Sequence, residues 1–412
     1  MRSSRPRRVP HGFTLLELMV SAVVGTIAIA GALALMTAQQ QAFRSSAGDR
    51  AMQEAARSAL ADLSTNLRLA GYGIEPWLAF DFGPITNAPP SWTGAASMRT
   101  PGYPAGAPGN ALPACSPAVA VTDRDSITGA DEIVFHARSA AFNRQLSVAP
   151  TSTTLTFTRA LTTPMYQGQI LQVMCAGATQ WAYVTVGAFA DAGATQVSLA
   201  QGCTTGFPYQ QQMLTSGCFS TGFANARVFK IDRFHYYVAR FADEAGVARP
   251  YLMLDRGLKS NGAALVEPVA PDVEDLQIAY VFPRSAAATQ LVGAATGTRL
   301  ERSASSIDLD AVPPAYTETL SAASRATNHP GNIHGVRVSL VVRSASPDAS
   351  LNAAGDATIP PAGNRAAIAA DGGYRRIVVE TTEAIRNMDV RGPYCPAYSV
   401  NNGADGLNVG GG

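Results

Sequence analysis

One carboxylate stands where hydrophobic logic disfavours it. Glu17 is the sole ionisable residue in the run FTLLELMVSAVVGTIAIAGALALM, Phe13 to Met36. An acid at the centre of a membrane span costs roughly 2.5 to 3.5 kcal/mol and less near the interface. Glu17, about one turn into the run, is tolerable there but needs a partner. A cut between Gly12 and Phe13 would create an α-amino group four residues before Glu17, able to neutralise it within one subunit or between neighbours. Opposite charges in low dielectric attract strongly enough to select a register between helices packed side by side.

The remaining reactive residue types form no catalytic constellation. His329 and His334 in HPGNIH have a spacing open to a metal pair, with no third ligand nearby in sequence. Asp123, Asp125 and Asp131 in DRDSITGADE resemble an acidic calcium loop but lack its central glycine and closing glutamate, so a polar turn before a strand is the simpler reading. His11, His136 and His235 are isolated. The five cysteines, Cys115, Cys175, Cys203, Cys218 and Cys395, contain no C-x-x-C pair. Outside the cytoplasm they could form two disulfides with one thiol left over; Cys203 with Cys218 is the preferred pair, because the loop between them is short and closes at small entropic cost. The alternative is that all five stay reduced as small core residues. No phosphate loop, dinucleotide fingerprint or nucleophile elbow occurs, and no cofactor or metal is expected. With a net charge of +1 and no basic stripe interleaved with aromatics, nothing argues for nucleic acid as a partner.

The elements that would position Glu17 are plain. Arg2, Arg5, Arg7 and Arg8 precede the apolar run with no acid among them, which by the positive-inside bias places the N-terminus in the cytoplasm and everything from about residue 40 outside it. Twenty-four helical residues extend about 36 Å, enough to cross a hydrocarbon core of about 30 Å. An ordinary secretory signal cut after Ala30 or Ala34, or a plain signal anchor, would share these features. From Thr37 to Ala70 the pattern is amphipathic: Met52, Ala56, Leu60, Leu63, Leu67 and Ala70 recur at helical steps, opposite Gln53, Glu54, Arg57, Asp62 and Asn66. Gly71 suits the C-cap. Residues 74–120 are rich in Pro, Gly and Ala and read as an irregular excursion. Strand-like segments start at Asp131, Thr154, Gln169, Trp181 and Thr195, for which an antiparallel meander is the economical arrangement; a second group starts at Arg227, Tyr251, Asp275, Gly335 and Tyr374. In GVRVSLVVRS, Val336, Val338, Leu340 and Val342 alternate with polar residues, a strand with one face buried, expected to meet the long helix.

The string GFTLLELMV, Gly12 to Val20, behind its arginines closely resembles the processing signal of type IV prepilins and type II secretion pseudopilins. That resemblance implies cleavage after Gly12 by a prepilin peptidase, methylation of Phe13 as the new N-terminus, and Glu17 as the carboxylate that guides subunit docking. QEAARSALADLSTNLRLAGYG resembles PilW-type minor pilins through Gln53, Arg57, Arg68, Ala70, Gly71 and Tyr72. The Val273 to Tyr280 segment and the Tyr374-Arg375-Arg376 strand ending in Arg386-Asn387 are similar to the same family. The implied fold is α+β: a long N-terminal helix on antiparallel sheet, with large loop and β insertions. The expected divisions are a leader (1–12), the membrane half of the helix (13–36), its amphipathic half (37–73), a loop-rich β region (74–226), a pilin-like sheet region (227–392) and a flexible tail (393–412). The implied role is a minor pilin of the inner membrane that primes or caps a type IV pilus with other minor pilins and the major pilin, and reaches the pilus or cell surface after assembly. The alternatives are a type II pseudopilin, or a displayed adhesin using loops 81–120 and 284–332. Mass spectrometry of the mature chain is expected to find methylated Phe13 at its start; a start at residue 31 or 35 would instead establish a secretory signal.

Overall fold

The computed structural model describes residues 14–74, 76, 79–81, 130–175, 181–200, 226–242, 246, 248–282, 300–301, 333–348, 351, 358–363, 365–369 and 373–389. Two compact units emerge, residues 1–51 and 52–412, and each is described by itself.

Within the first unit the described chain is helix α1, which runs Leu15–Leu67 and so continues into the second. Its Leu15–Gln40 stretch is long and apolar enough to cross a membrane, and its leucines, valines and isoleucines are exposed. The hydroxyls in this stretch bond back to helix carbonyls: Ser21 Oγ to Glu17 O at 2.7 Å, Thr26 Oγ1 to Val23 O at 2.8 Å and Thr37 Oγ1 to Ala34 O at 2.9 Å. No water is then needed to satisfy them. Gly25, Gly31 and Gly48, each worth about 1 kcal/mol less than alanine in a helix, lie inside continuous helix.

In the second unit one face of α1 is buried through Met52, Ala56, Ala59, Leu63, Leu67 and Ala70. Leu60 is only partly buried and Ala59 takes the position expected of it. Asp62 and Asn66, expected opposite the apolar face on a solvated or subunit-facing side, turn towards the sheet: the Tyr236 hydroxyl donates to Asp62 Oδ2 at 2.6 Å, and Asn66 Nδ2 donates to the same hydroxyl. A phenol on the strand recruits polar helix residues that the apolar periodicity had assigned outward. Burial, with the Asp62 carboxylate beside it, pushes the Tyr236 phenol well above its usual range.

Two sheets meet this helix face in one core. The larger has seven strands. β1 (Phe80–Asp81) lies beside β2 (Ile133–Gln145), which pairs with the long β7 (Arg227–Ala242). The far edge of β7 carries two hairpins in succession: β4 (Ile170–Met174) with β5 (Trp181–Thr185), then β8 (Ala248–Ser260) with β9 (Ala263–Pro271). The second sheet has the order β11 (Leu300–Glu301), β10 (Val273–Phe282), β12 (Gly335–Arg343), β15 (Arg376–Ala384). Every ladder is antiparallel. Phe135, Phe234, Val238, Leu252 and Leu254 of the first sheet and Leu276, Ile278, Val336, Val338, Leu340 and Val342 of the second pack against α1. The alternation read in β12 therefore faces the helix as expected.

The strands before residue 200 do not form a meander. β2 pairs with β7, almost a hundred residues on, and β3 (Thr154–Thr156) pairs with β6 (Gln196–Ser198). The β2–β7 pairing is held mainly by Ile133, Phe135, Phe234 and Tyr236 in the core under α1, whereas β3 and β6 belong to a second, separate core in which Leu155, Phe157, Leu171, Val184, Val197 and Val228 are buried. A two-stranded sheet, β13 (Thr358–Ile359) with β14 (Ile368–Ala369), closes over Val341 on the outer face of β12.

α1 ends in a junction. Gly71 takes φ +75°, and its N–H donates to His136 O on β2 at 3.0 Å. Asn387, on the short α2 (Arg386–Asp389), donates its amide to Arg68 O at 3.0 Å and Ala70 O at 3.3 Å, satisfying carbonyls the helix leaves open. A Cβ on Gly71 would come within 2.6 Å of Met388 Sδ, so glycine is required both for the left-handed backbone and for the close approach. Gly71→Ala is expected to lower unfolding stability by more than about 1 kcal/mol in denaturant titration, whereas Ala at the exposed Gln53 stays within about 0.5 kcal/mol; equal effects would mean that the junction does not hold the helix end.

Candidate functional site

Gly12 and Phe13, the expected cleavage and methylation positions, lie outside the described residues, as do the leader, the tail from 393 and the loops 82–120 and 284–299 and 302–332. Glu17 is described, and the chain supplies it with a local partner. The Thr14 N–H and the Thr14 hydroxyl both donate to Glu17 Oε2 at 3.0 Å, and the Glu17 N–H donates to Thr14 Oγ1 at 3.3 Å. This is a reciprocal capping box, Thr-x-x-Glu, which starts α1 by satisfying otherwise open N–H groups. Both bonds to the carboxylate fall on one oxygen, so Oε1 remains open to a donor from outside the described residues. Thr14 was not singled out in the sequence, although the Thr-x-x-Glu spacing was there to be read.

The residues read as PilW-like gather into two places. Arg68, Ala70, Gly71 and Asn387 build the junction at the end of α1, where Arg68 Nε also meets Glu383 Oε2 at 3.1 Å. Tyr72 accepts the Arg138 N–H at 2.8 Å through its backbone while its ring is exposed. Gln53 and Arg57 are exposed on the helix. The second place is the start of β10, where the buried Glu274 carboxylate receives Arg376 Nε at 2.6 Å, with Arg240 Nη2 at 3.6 Å and Arg343 Nη1 at 4.0 Å. The Arg343 guanidinium lies over the Tyr374 ring, 4.2 Å from its centroid. On either side, Asp272 is held by Arg249 and Asp275 by Arg365. Burial pushes the Asp275 carboxyl up, against the opposing charge of Arg365.

Other candidate residues have structural uses. The Asp131 N–H donates to Leu276 O at 2.7 Å and its Oδ2 accepts the Ile278 N–H at 2.8 Å, stitching the lead-in of β2 to β10; Asp123 and Asp125 are outside the described residues. The His334 N–H donates to Val281 O and its carbonyl accepts from Ile385, while His329 is outside. Buried His235 contacts Glu132 at 2.8 Å through Nε2 and faces Asp255 at 3.9 Å through Nδ1. Burial raises the Asp255 carboxyl, but His235, Arg233 and the Gly257 N–H outweigh it and hold the group at about 2. Among the described residues no group of three His, Cys, Asp or Glu is arranged to hold a metal ion. Cys175 is buried in the second core and disulfide-bonded. The expected pair, Cys203 and Cys218, lies outside the described residues with Cys115 and Cys395.

Residues 235–387 match the family described as type IV pilus-assembly protein W, and residues 7–33 match the prokaryotic N-terminal methylation motif. No curated protein and no solved structure matches the chain. The first match begins at the His235-Tyr236 segment that bonds α1 and ends at Asn387, which caps it; the second frames the Thr14–Glu17 cap. An apolar N-terminal helix, antiparallel sheets packed on its later half and these two matches together support a PilW-type type IV pilin.

Proposed function

We propose that this pilin is a minor subunit that primes assembly of, or caps, a type IV pilus. The observation that carries the reading is the Thr14–Glu17 cap at the head of an exposed apolar helix. Cleavage after Gly12 would place the Phe13 α-amino group beside a carboxylate whose Oε1 is open, one residue before the threonine that orients it. In cis the cap lets Glu17 sit near the membrane interface at reduced cost; in trans the open oxygen accepts a cation from an adjoining subunit and sets its register. The partners are then prepilin peptidase, which cuts at Gly12 and leaves methylated Phe13, followed by other minor pilins and the major pilin.

The same reading puts the N-terminus in the cytoplasm and residues beyond about 40 in the periplasm before assembly. The disulfide at Cys175 supports this, since such bonds persist in oxidising compartments. The match to the pilus-assembly family favours the pilus over a type II secretion system. Deleting the gene is expected to abolish surface pili; loss of exoprotein release with normal pili would establish the pseudopilin role instead. A Glu17→Ala chain should still be cut and methylated at Phe13, while piliation falls about tenfold or more, equivalent to about 1.4 kcal/mol of docking free energy. Unchanged piliation would remove Glu17 from docking.

A further inference from the structure

The inner part of the β2–β7 ladder, Ile133–Arg138 against Tyr236–Ile231, has the form of a hairpin with an insertion; beyond a register shift the ladder resumes from Asn143–Phe229 to Gln145–Arg227, at the base of that insertion. Arg138 on β2 faces Ile231 on β7, so a chain passing directly from one to the other would close an ordinary β-hairpin. The 92 residues 139–230 intervene. Described residues among them line the second core, which shares no residue with the core beneath α1, and the stretch falls outside both matched segments.

Their composition also departs from the rest. Arg144, Arg159, Asp191, Arg227 and Lys230 are the only charged residues among them, whereas 15% of the whole chain is charged. Fourteen threonines and ten glutamines occupy the same stretch. On its surface the rings of Tyr166 and Phe189 lie 5.4 Å apart at 58°, and Phe189 is 45% exposed. The pair is held rigidly from behind: Met165 and Ala190, the adjoining residues, are buried in the second core and exchange two backbone hydrogen bonds of 2.9 Å. Half-buried Gln167 and exposed Asp191 flank the rings in sequence.

We propose that residues 139–230 are a binding module set into the β2–β7 hairpin, and that the Tyr166–Phe189 pair is its contact for an uncharged polyhydroxylated ligand, the sugar units of a neutral polysaccharide. A pyranose ring offers an apolar C–H face that lies on an aromatic ring, and its hydroxyls exchange hydrogen bonds with amide and hydroxyl side chains. A surface almost without charge neither steers ionic ligands nor loses free energy by desolvating ions when a neutral one binds. Display on a pilus, as proposed above, would present this surface to such polymers, but binding by the purified chain is independent of whether the chain primes assembly.

The full chain in detergent micelles is titrated with cellohexaose, with maltohexaose and, as the ionic comparison, with a heparin hexasaccharide. At least one neutral sugar is expected to bind and the heparin fragment not to bind more tightly. Phe189→Ala should weaken binding about fivefold or more, as loss of an aromatic contact does, with an unchanged melting temperature. A second chain, in which residues 139–230 are replaced by Asn-Gly, is expected to fold and to lose binding. Absence of binding by both neutral sugars, preference for heparin, indifference to Phe189→Ala, or failure of the shortened chain to fold would each overturn the proposal.

Discussion

The contact on which the compact unit depends is the alanine-lined face of α1. Ala56, Ala59 and Ala70 are small enough for strands to come close, while Met52, Leu63 and Leu67 fill the space between. Both sheets bury an inner face against this one stripe, and only the β4–β5 end of the larger sheet has another core to rest on. A helix used in this way draws little of its stability from propensity and most from packing. Its rotation must then be fixed by something directional, since apolar contact is not. The bonds from Tyr236 to Asp62 and Asn66, and those from Asn387 to the last helical carbonyls, supply that direction at two heights along the face.

A second constraint lies at the start of β10. Asp272, Glu274 and Asp275 enter buried or nearly buried ground together, and arginines from β7, β8, β12, β15 and the β13–β14 connection converge on them. Replacing such pairs by apolar residues often costs nothing, so they are weak evidence for added stability; removing one partner costs much more. Their use here is in specifying which strands lie together, for every one of these arginines comes from a different element or a different end of one.

Much of the fold was legible locally. The apolar run and the three- and four-residue steps after it defined α1 to within a few residues, and β-branched alternation located β2, β4, β5, β7, β8, β10, β12 and β15. What was not legible was pairing at a distance. Nothing near Ile133 states that its partner strand starts beyond residue 226, because the cost of closing that loop is recovered only when both strands pack in the core under α1. Asp62 reads as solvated until Tyr236, distant in sequence, is placed beside it. Asn387 gives no local sign that it caps a helix ending more than three hundred residues earlier. Of the candidate site, Glu17 stood out because its neighbours are apolar, while Thr14 passed unnoticed because a threonine there is unexceptional.

The outer strands carry a further consequence. Among the described residues β9 pairs only with β8 and contains Glu267, Pro268 and Pro271, and β15 pairs only with β12 and carries Glu380 and Glu383. Proline withholds a donor and like charges repel a second copy laid alongside, so strand-to-strand growth is discouraged at these two of the outer edges. Those two edges are thus guarded against polymerising. Amyloid-like accretion would compete with any ordered packing of the exposed apolar helix, and this chain discourages it at these two edges while leaving that helix stretch exposed.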